Sequence, residues 1–118
     1  MSDRLDRAVR MVKEFAAERD WGQFHDPKNL AMCLASEAGE LLAELRWIPN
    51  HAADRACQDP AVREKVGREL GDIGIAWLLM CDRTGMDPFE LIERKLQLNA
   101  LKYPPESSRG QAEAPKTP

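Results

Sequence analysis

The feature that most constrains this fold is an apolar period of three and four residues that runs along the chain and is interrupted by Asp-Pro pairs. Apolar side chains at this spacing line one face of an α-helix, and Asp followed by Pro suits the N-cap and first turn of a helix. The pattern predicts helices over 4–19, 27–47, 60–83 and 88–103. Because no alternating strand pattern competes with it, we expect an all-α fold.

The length of 118 residues, with 43% hydrophobic and 31% charged residues, is typical of one globular domain. A polar, Pro-, Gly- and Ser-rich end predicts that this domain covers 1–104 and that 105–118 form a flexible tail. Residues 73–81 are apolar on nearly every side, a pattern typical of a helix enclosed by a bundle or a subunit interface. We therefore expect a four-helix bundle that assembles into a homodimer or homotetramer.

Charge and composition also exclude several kinds of partner. The net charge of -3 argues against sequence-independent binding to a nucleic-acid polymer, which requires an excess of Lys and Arg. The charged N-terminus does not resemble a signal peptide, and no apolar run is long enough for a bilayer, so no membrane partner is expected. The three cysteines form no CxxC pair, which favours reduced packing residues in a cytoplasmic protein.

Two pairs of acidic residues occupy helical positions where apolar residues are expected. Glu37 falls on the apolar stripe of the second predicted helix, with Glu40 one turn later. Glu69 and Asp72 repeat this spacing on the third. A single pair of this kind is more often a solvent-facing acidic patch. Two pairs on apolar faces instead favour a site in which a cation offsets the cost of burying carboxylates.

The chemistry of these ligands narrows the choice of cation. Carboxylate oxygens without paired His or Cys favour magnesium, with manganese as a substitute, and protein-bound magnesium is commonly held together with substrate phosphates. The spacing therefore predicts phosphate chemistry. Each pair also has a glycine before its second acid, which suggests close approach of a ligand or another backbone.

The segments Glu37-Ala-Gly-Glu40 and Glu69-Leu-Gly-Asp72 resemble the paired motifs of the MazG-like all-α nucleoside triphosphate pyrophosphohydrolases. The stretch FAAERDWGQFHDPKNL, Trp47 and the ending KLQLNALKYP are similar to the dCTP pyrophosphatase branch of that superfamily. The resemblance covers about 5–103. It implies that the four acids are the catalytic magnesium ligands and that water attacks a nucleoside triphosphate between its α and β phosphates.

The same resemblance implies roles for polar and aromatic residues outside the acidic motifs. Lys95, Asn99 and Lys102 or Tyr103 follow a helical spacing that suits a grip on phosphates, although an ordinary solvated face would carry the same pattern. Trp21, Phe24 and His25, together with Trp47, are candidates for a base pocket, against the alternative that the aromatic residues only pack in the core.

One departure from the branch leaves the preferred base open. The branch often has an aromatic residue one turn after the last acid, where this sequence has Ala76. We expect a housecleaning enzyme that converts dCTP or a modified dCTP to its monophosphate and pyrophosphate. The alternatives are a broader or different nucleotide specificity and a helical binding or assembly protein without turnover.

Overall fold

The computed structural model describes residues 2–112, which form helices and connecting turns with no strand among them. Four helices are long: α1 (Ser2–Glu18), α2 (Pro27–Leu45), α4 (Pro60–Thr84) and α5 (Pro88–Lys102). Two are single turns, α3 (Ala53–Ala56) and α6 (Pro105–Ser108), and 3-10 helices occupy Trp21–Phe24 and Asn50–Ala52. The all-α class is confirmed, and each long helix ends within about one turn of its predicted bounds.

The Asp-Pro pairs begin helices in the way the sequence predicts. The carboxylate of Asp26 accepts a hydrogen bond from the Asn29 N–H at 2.9 Å, and Asp59 and Asp87 cap α4 and α5 in the same manner. Each cap satisfies an N–H that has no partner within its own helix. At the other end of α4, Gly85 adopts a left-handed conformation with φ of 70°, which glycine tolerates without steric cost. The lengths of α2 and α4 therefore follow from local sequence.

The chain divides after Gly85 into two compact units. In the first unit α4 is the central element, because α2 packs along it and α1 also contacts it. The most deeply buried side chains of this unit come from all three helices: Ala16, Leu30, Ala76 and Cys81. The pairing of α2 with α4 matters most for function, since these two helices carry the two acidic motifs.

The second unit contains α5 and α6. The division falls within the predicted domain of 1–104, whose extent stays a prediction. The flexible tail of 105–118 also stays a prediction. Its described part includes α6, and its residues 113–118 lie outside the described range. Within residues 2–112, none of the helices combines the length and the apolar character needed to span a bilayer.

Candidate metal and substrate site

Packing of α2 against α4 brings three of the four predicted acids together. Carboxylate oxygens of Glu37 and Glu40 on α2 and of Glu69 on α4 all lie within 4.8 Å of one another. Asp72, one turn after Glu69, is not part of this group, but its side chain borders the adjoining cavity. We call Glu37, Glu40 and Glu69 the carboxylate cluster.

Burial and the close approach of the carboxylates disfavour ionisation of Glu37 and Glu69. Burial, followed by the charge of Glu40, raises the pKa of Glu37 to about 7. Burial and the neighbouring carboxyl of Glu40 also raise the pKa of Glu69. The charge of Asp72 acts in the same direction on both groups. Without a cation, the cluster is therefore stabilised by holding protons at pH values where glutamates are ordinarily ionised.

Two oxygen atoms of the cluster have unmet hydrogen-bonding capacity. Glu37 Oε2 and Glu69 Oε2 are buried, and no donor among the described residues reaches either atom. Buried carboxylate oxygens without partners carry a substantial desolvation cost. A hard divalent cation would remove both this cost and the mutual repulsion, and its preference for oxygen ligands matches the cluster. The residues present thus fit a magnesium or manganese site.

A cavity of about 410 Å³, open to solvent on one side, adjoins the cluster and is lined by α1, the first 3-10 helix, α2 and α4. Glu37 and Asp72 lie at its acidic side, whereas much of the remaining wall is apolar. Its volume falls within the range typical of small-molecule sites. Charge-bearing and apolar surfaces in one cavity suit a ligand that is anionic at one end and apolar at the other.

The aromatic part of the wall comes from the turn between α1 and α2. Trp21, Phe24 and His25 all border the cavity, while their contact with a base stays a prediction. The Trp21 ring meets Phe15 of α1 edge-on at 5.6 Å between centroids, and the centroid of the His25 ring lies 6.4 Å from that of Trp21. Trp21 nevertheless stays 42% exposed, so it is not a core residue of the kind that the packing alternative requires.

Trp47 lies apart from these aromatic residues. It does not border the cavity and is 84% exposed at the end of α2, where the Arg46 guanidinium lies 5.3 Å from its ring centroid. An indole so exposed gains little from packing within the first unit. A contact between Trp47 and a nucleotide base stays a prediction.

The predicted phosphate-binding residues lie in the second unit. Lys95, Asn99 and Lys102 belong to α5 and share one side of it, because spacings of four and three bring helical residues onto one face. Tyr103 follows as the C-cap, its N–H donating to the Asn99 carbonyl oxygen at 2.7 Å. The regular helix therefore supports their predicted spacing, while their approach to phosphate stays a prediction.

Several residues of the cavity wall are not among the predicted site residues, and two of them, Asn29 and Cys33, carry polar side-chain groups. Asn29 and Cys33 border the cavity from α2, two turns and one turn before Glu37. The signal was available, since positions 29, 33 and 37 are four residues apart and so share a helical face. Burial and the charges of Glu37 and Asp72 raise the pKa of the Cys33 thiol, which favours its protonated form.

The glycines inside the acidic motifs have no packing explanation in the described residues. A Cβ atom built at Gly39 or Gly71 would meet nothing within 4 Å. Close approach of another backbone of the described chain is therefore not the reason for glycine at either position. Ala76, by contrast, is 2% exposed and borders the cavity, so its small side chain adds directly to the space available there.

No family model matches this chain. It is 38% identical to dCTP pyrophosphatase 1 of Bos taurus over 92% of its length, and 34% identical to the protein of that name in Homo sapiens over 89%. The chain spans 64% and 62% of these two relatives, less than two thirds of either. The similarity confirms the sequence resemblance to the dCTP pyrophosphatase branch.

A solved structure shares the fold. The crystal structure of a pyrophosphatase from Archaeoglobus fulgidus superposes with a TM-score of 0.80 at 29% identity, covering 86% of this chain and 93% of that protein. The helices that carry the carboxylate cluster thus belong to an architecture known from a pyrophosphatase.

Proposed function

We propose that this chain, a homologue of the dCTP pyrophosphatases, is a magnesium-dependent enzyme that hydrolyses dCTP or a modified dCTP to its monophosphate and pyrophosphate. The observation that carries the proposal is the carboxylate cluster at one side of a cavity with an aromatic wall. A nucleotide has the matching polarity, with a triphosphate that needs a cation and a base that stacks on aromatic rings. The relatives named dCTP pyrophosphatase 1 support the choice of nucleotide.

In this proposal the acids hold the cation and prepare the water. Glu37, Glu40, Glu69 and Asp72 are the metal ligands, and bound magnesium would neutralise phosphate charge and orient the attacking water. A carboxylate that is not fully used as a ligand accepts the proton of the water, whose oxygen bonds to the α phosphorus. The bond from that phosphorus to the oxygen bridging to the β phosphate breaks. Pyrophosphate leaves with the bridging oxygen.

Selectivity comes from the other side of the cavity. Metal and phosphate contacts are common to all nucleoside triphosphates, so discrimination depends on groups that touch the base and sugar. Trp21 and Phe24 offer aromatic faces for stacking, and His25 offers a ring nitrogen for a hydrogen bond to the base edge. Trp47, Lys95, Asn99, Lys102 and Tyr103 complete the proposed set, the last four as phosphate contacts.

A second candidate, a broader nucleotide specificity, is favoured by Ala76. Its buried methyl group occupies a wall position where a larger side chain would narrow the cavity. The extra space suits a substituted pyrimidine or a larger base. A non-catalytic binding or assembly protein is the remaining rival. The two buried carboxylate oxygens without hydrogen-bond partners favour a site that holds a cation over a purely structural role for the acids.

The proposed biological role is removal of unwanted nucleotides in the cytoplasm by a homodimer or homotetramer, without a nucleic-acid polymer or a membrane as partner. A screen for pyrophosphate release tests the activity directly, using common and modified dNTPs and NTPs with and without magnesium. The proposal expects release of pyrophosphate, rather than orthophosphate, with cytosine deoxynucleotides among the better substrates. Metal-dependent binding without turnover of any nucleotide would instead support the non-catalytic rival.

A further inference from the structure

The aromatic wall of the cavity is attached to both acid-bearing helices. We call residues 20–25, which contain the first 3-10 helix, the aromatic turn. From α2, Asn29 Nδ2 donates a hydrogen bond to the Phe24 carbonyl oxygen at 3.0 Å. From α4, Arg83 Nη1 donates to the Gly22 carbonyl oxygen at 3.0 Å. One side chain from each helix of the carboxylate cluster therefore reaches the backbone that carries Trp21 and His25.

The local structure of the aromatic turn makes such attachments important. Asp20 starts it in a left-handed conformation, with φ of 53° and ψ of 39°, which is uncommon for a residue with a side chain. The 3-10 helix that follows has only four residues, and its side chains remain largely accessible. A short turn of this type has poor hydrogen-bond geometry and little burial of its own. Contacts from neighbouring helices must therefore define its position.

We propose that Arg83 and Asn29 are positioning residues that set the distance between the base-binding aromatic turn and the phosphate-binding carboxylates. This inference rests on the proposed function. Because α2 carries Glu37 and α4 carries Glu69, each hydrogen bond fixes the aromatic turn relative to one part of the carboxylate cluster. A nucleotide must span both places at once, so a displaced turn weakens base contacts while leaving the cation ligands intact.

Arg83 provides the sharper test, because its hydrogen bond reaches a backbone carbonyl of the aromatic turn and not a side chain proposed to touch the base. It does not border the main cavity but lines a smaller one of about 170 Å³ behind Gly22 and His25. Asn29 borders the main cavity and could also touch a ligand itself. Lys13 supplies a matched control: it lines the same smaller cavity as Arg83 and pairs with Asp82 at 3.4 Å, without a hydrogen bond to the turn.

The experiment compares Arg83→Met with Lys13→Met, each of which removes one positive charge. Affinity is measured with α,β-methylene-dCTP, in which the scissile bridge is replaced, and KM and kcat are measured with dCTP. We expect Arg83→Met to raise both Kd and KM roughly tenfold with kcat within about twofold of wild type. Arg83→Lys should recover part of the loss because it keeps a donor, and Lys13→Met should leave both constants unchanged.

A double-mutant cycle separates positioning from a general structural role. If Arg83 acts through Trp21, then Arg83→Met should have little further effect on Kd in a Trp21→Ala background. Fully additive effects on Kd, or an unchanged Kd in Arg83→Met, would overturn the inference. Should Arg83→Met fold poorly, as judged by thermal melting, Arg83→Gln replaces it and Asn29→Leu provides a second removal of a donor.

The proposed function and this inference fail in different ways. If wild-type protein binds the analogue but never releases pyrophosphate from dCTP, the proposed hydrolysis is refuted. The positioning role of Arg83 would still be supported by its coupling to Trp21 in the binding measurements. Normal turnover together with an unaltered Kd in Arg83→Met would refute the positioning role alone. If wild-type protein bound no nucleotide, both would be overturned.

Discussion

Two opposing requirements act on Glu37: burial favours its neutral form, whereas a metal ligand must be ionised. Its pKa of about 7 in the folded chain exceeds the ordinary value of 4.5. Between these values the folded, metal-free protein binds more protons than the unfolded chain, so its stability falls as pH rises. The contribution of protonated Glu37 is complete below about pH 4.5 and is lost as pH rises through about 7.

We therefore expect the Tm of the protein in a chelator to fall between about pH 4.5 and 7, and Glu37→Gln to flatten that fall. Magnesium should raise the Tm more at pH 8 than at pH 5, because binding needs ionised carboxylates. Thermal melts across pH, with Glu14→Gln on the exposed surface of α1 as control, measure both effects. A Glu37→Gln variant with the pH dependence of wild type would contradict this explanation.

His25 and Trp47 test the base pocket from different surroundings. His25 borders the cavity, whereas Trp47 is exposed outside it. We expect His25→Ala and Trp47→Ala to harm cytosine nucleotides chiefly through KM, with loss of an aromatic stacking contact costing about 1–3 kcal/mol. Competitive hydrolysis of mixed dNTPs checks this. Unchanged KM values in both variants, or a preference for purines, would refute these base contacts.

At the residue scale, the positions of site residues could be predicted from sequence where helical spacing alone determines them. Glu37, Glu40 and Glu69 meet because their helices are regular and pack through the same apolar faces. Asp72 has the predicted spacing on α4 but does not belong to the closest group, a difference that periodicity does not specify. The position of Trp47 could not be predicted either, because Trp47 lies just beyond the last residue of α2, where helical spacing no longer applies.

At the scale of elements, the glycines of α2 and α4 provide a measurable consequence. Gly71 lies in the interior of α4, and an added Cβ there would meet nothing within 4 Å. We expect Gly71→Ala to raise the free energy of unfolding by about 0.5–1 kcal/mol, as alanine loses less backbone freedom than glycine. Chemical denaturation measures this change, with Gly67→Ala on the same helix as control. A destabilised Gly71→Ala beside a stabilised Gly67→Ala would contradict it.

The bounds of α2, α4 and α5 could be predicted because local chemistry sets them. Each begins at an Asp cap followed by Pro, and Gly85 ends α4. The aromatic turn could not be predicted in the same way. Its left-handed Asp20 and its hydrogen bond from Arg83, 61 residues from Gly22 in sequence, depend on tertiary contacts that no local pattern records.

At the scale of the whole molecule, the predicted assembly follows from exposed apolar side chains. Met32 and Leu42 on α2 and Leu70 on α4 are each more than half exposed, and none of them borders the cavity. Exposed apolar surface of this kind often marks an interface between subunits. We expect a dimer or tetramer by sedimentation at micromolar concentration. A strictly monomeric and active enzyme would contradict this expectation.

The central claim is that the carboxylate cluster supports metal-dependent hydrolysis of a nucleotide, and its most direct measurement is pyrophosphate release from dCTP with and without magnesium. Wild-type protein, Glu40→Gln and Asp72→Asn are compared, with circular dichroism confirming that each variant folds. The account predicts release only with a divalent cation and a loss of turnover by orders of magnitude in both variants. Folded variants with the wild-type rate and metal dependence would contradict it.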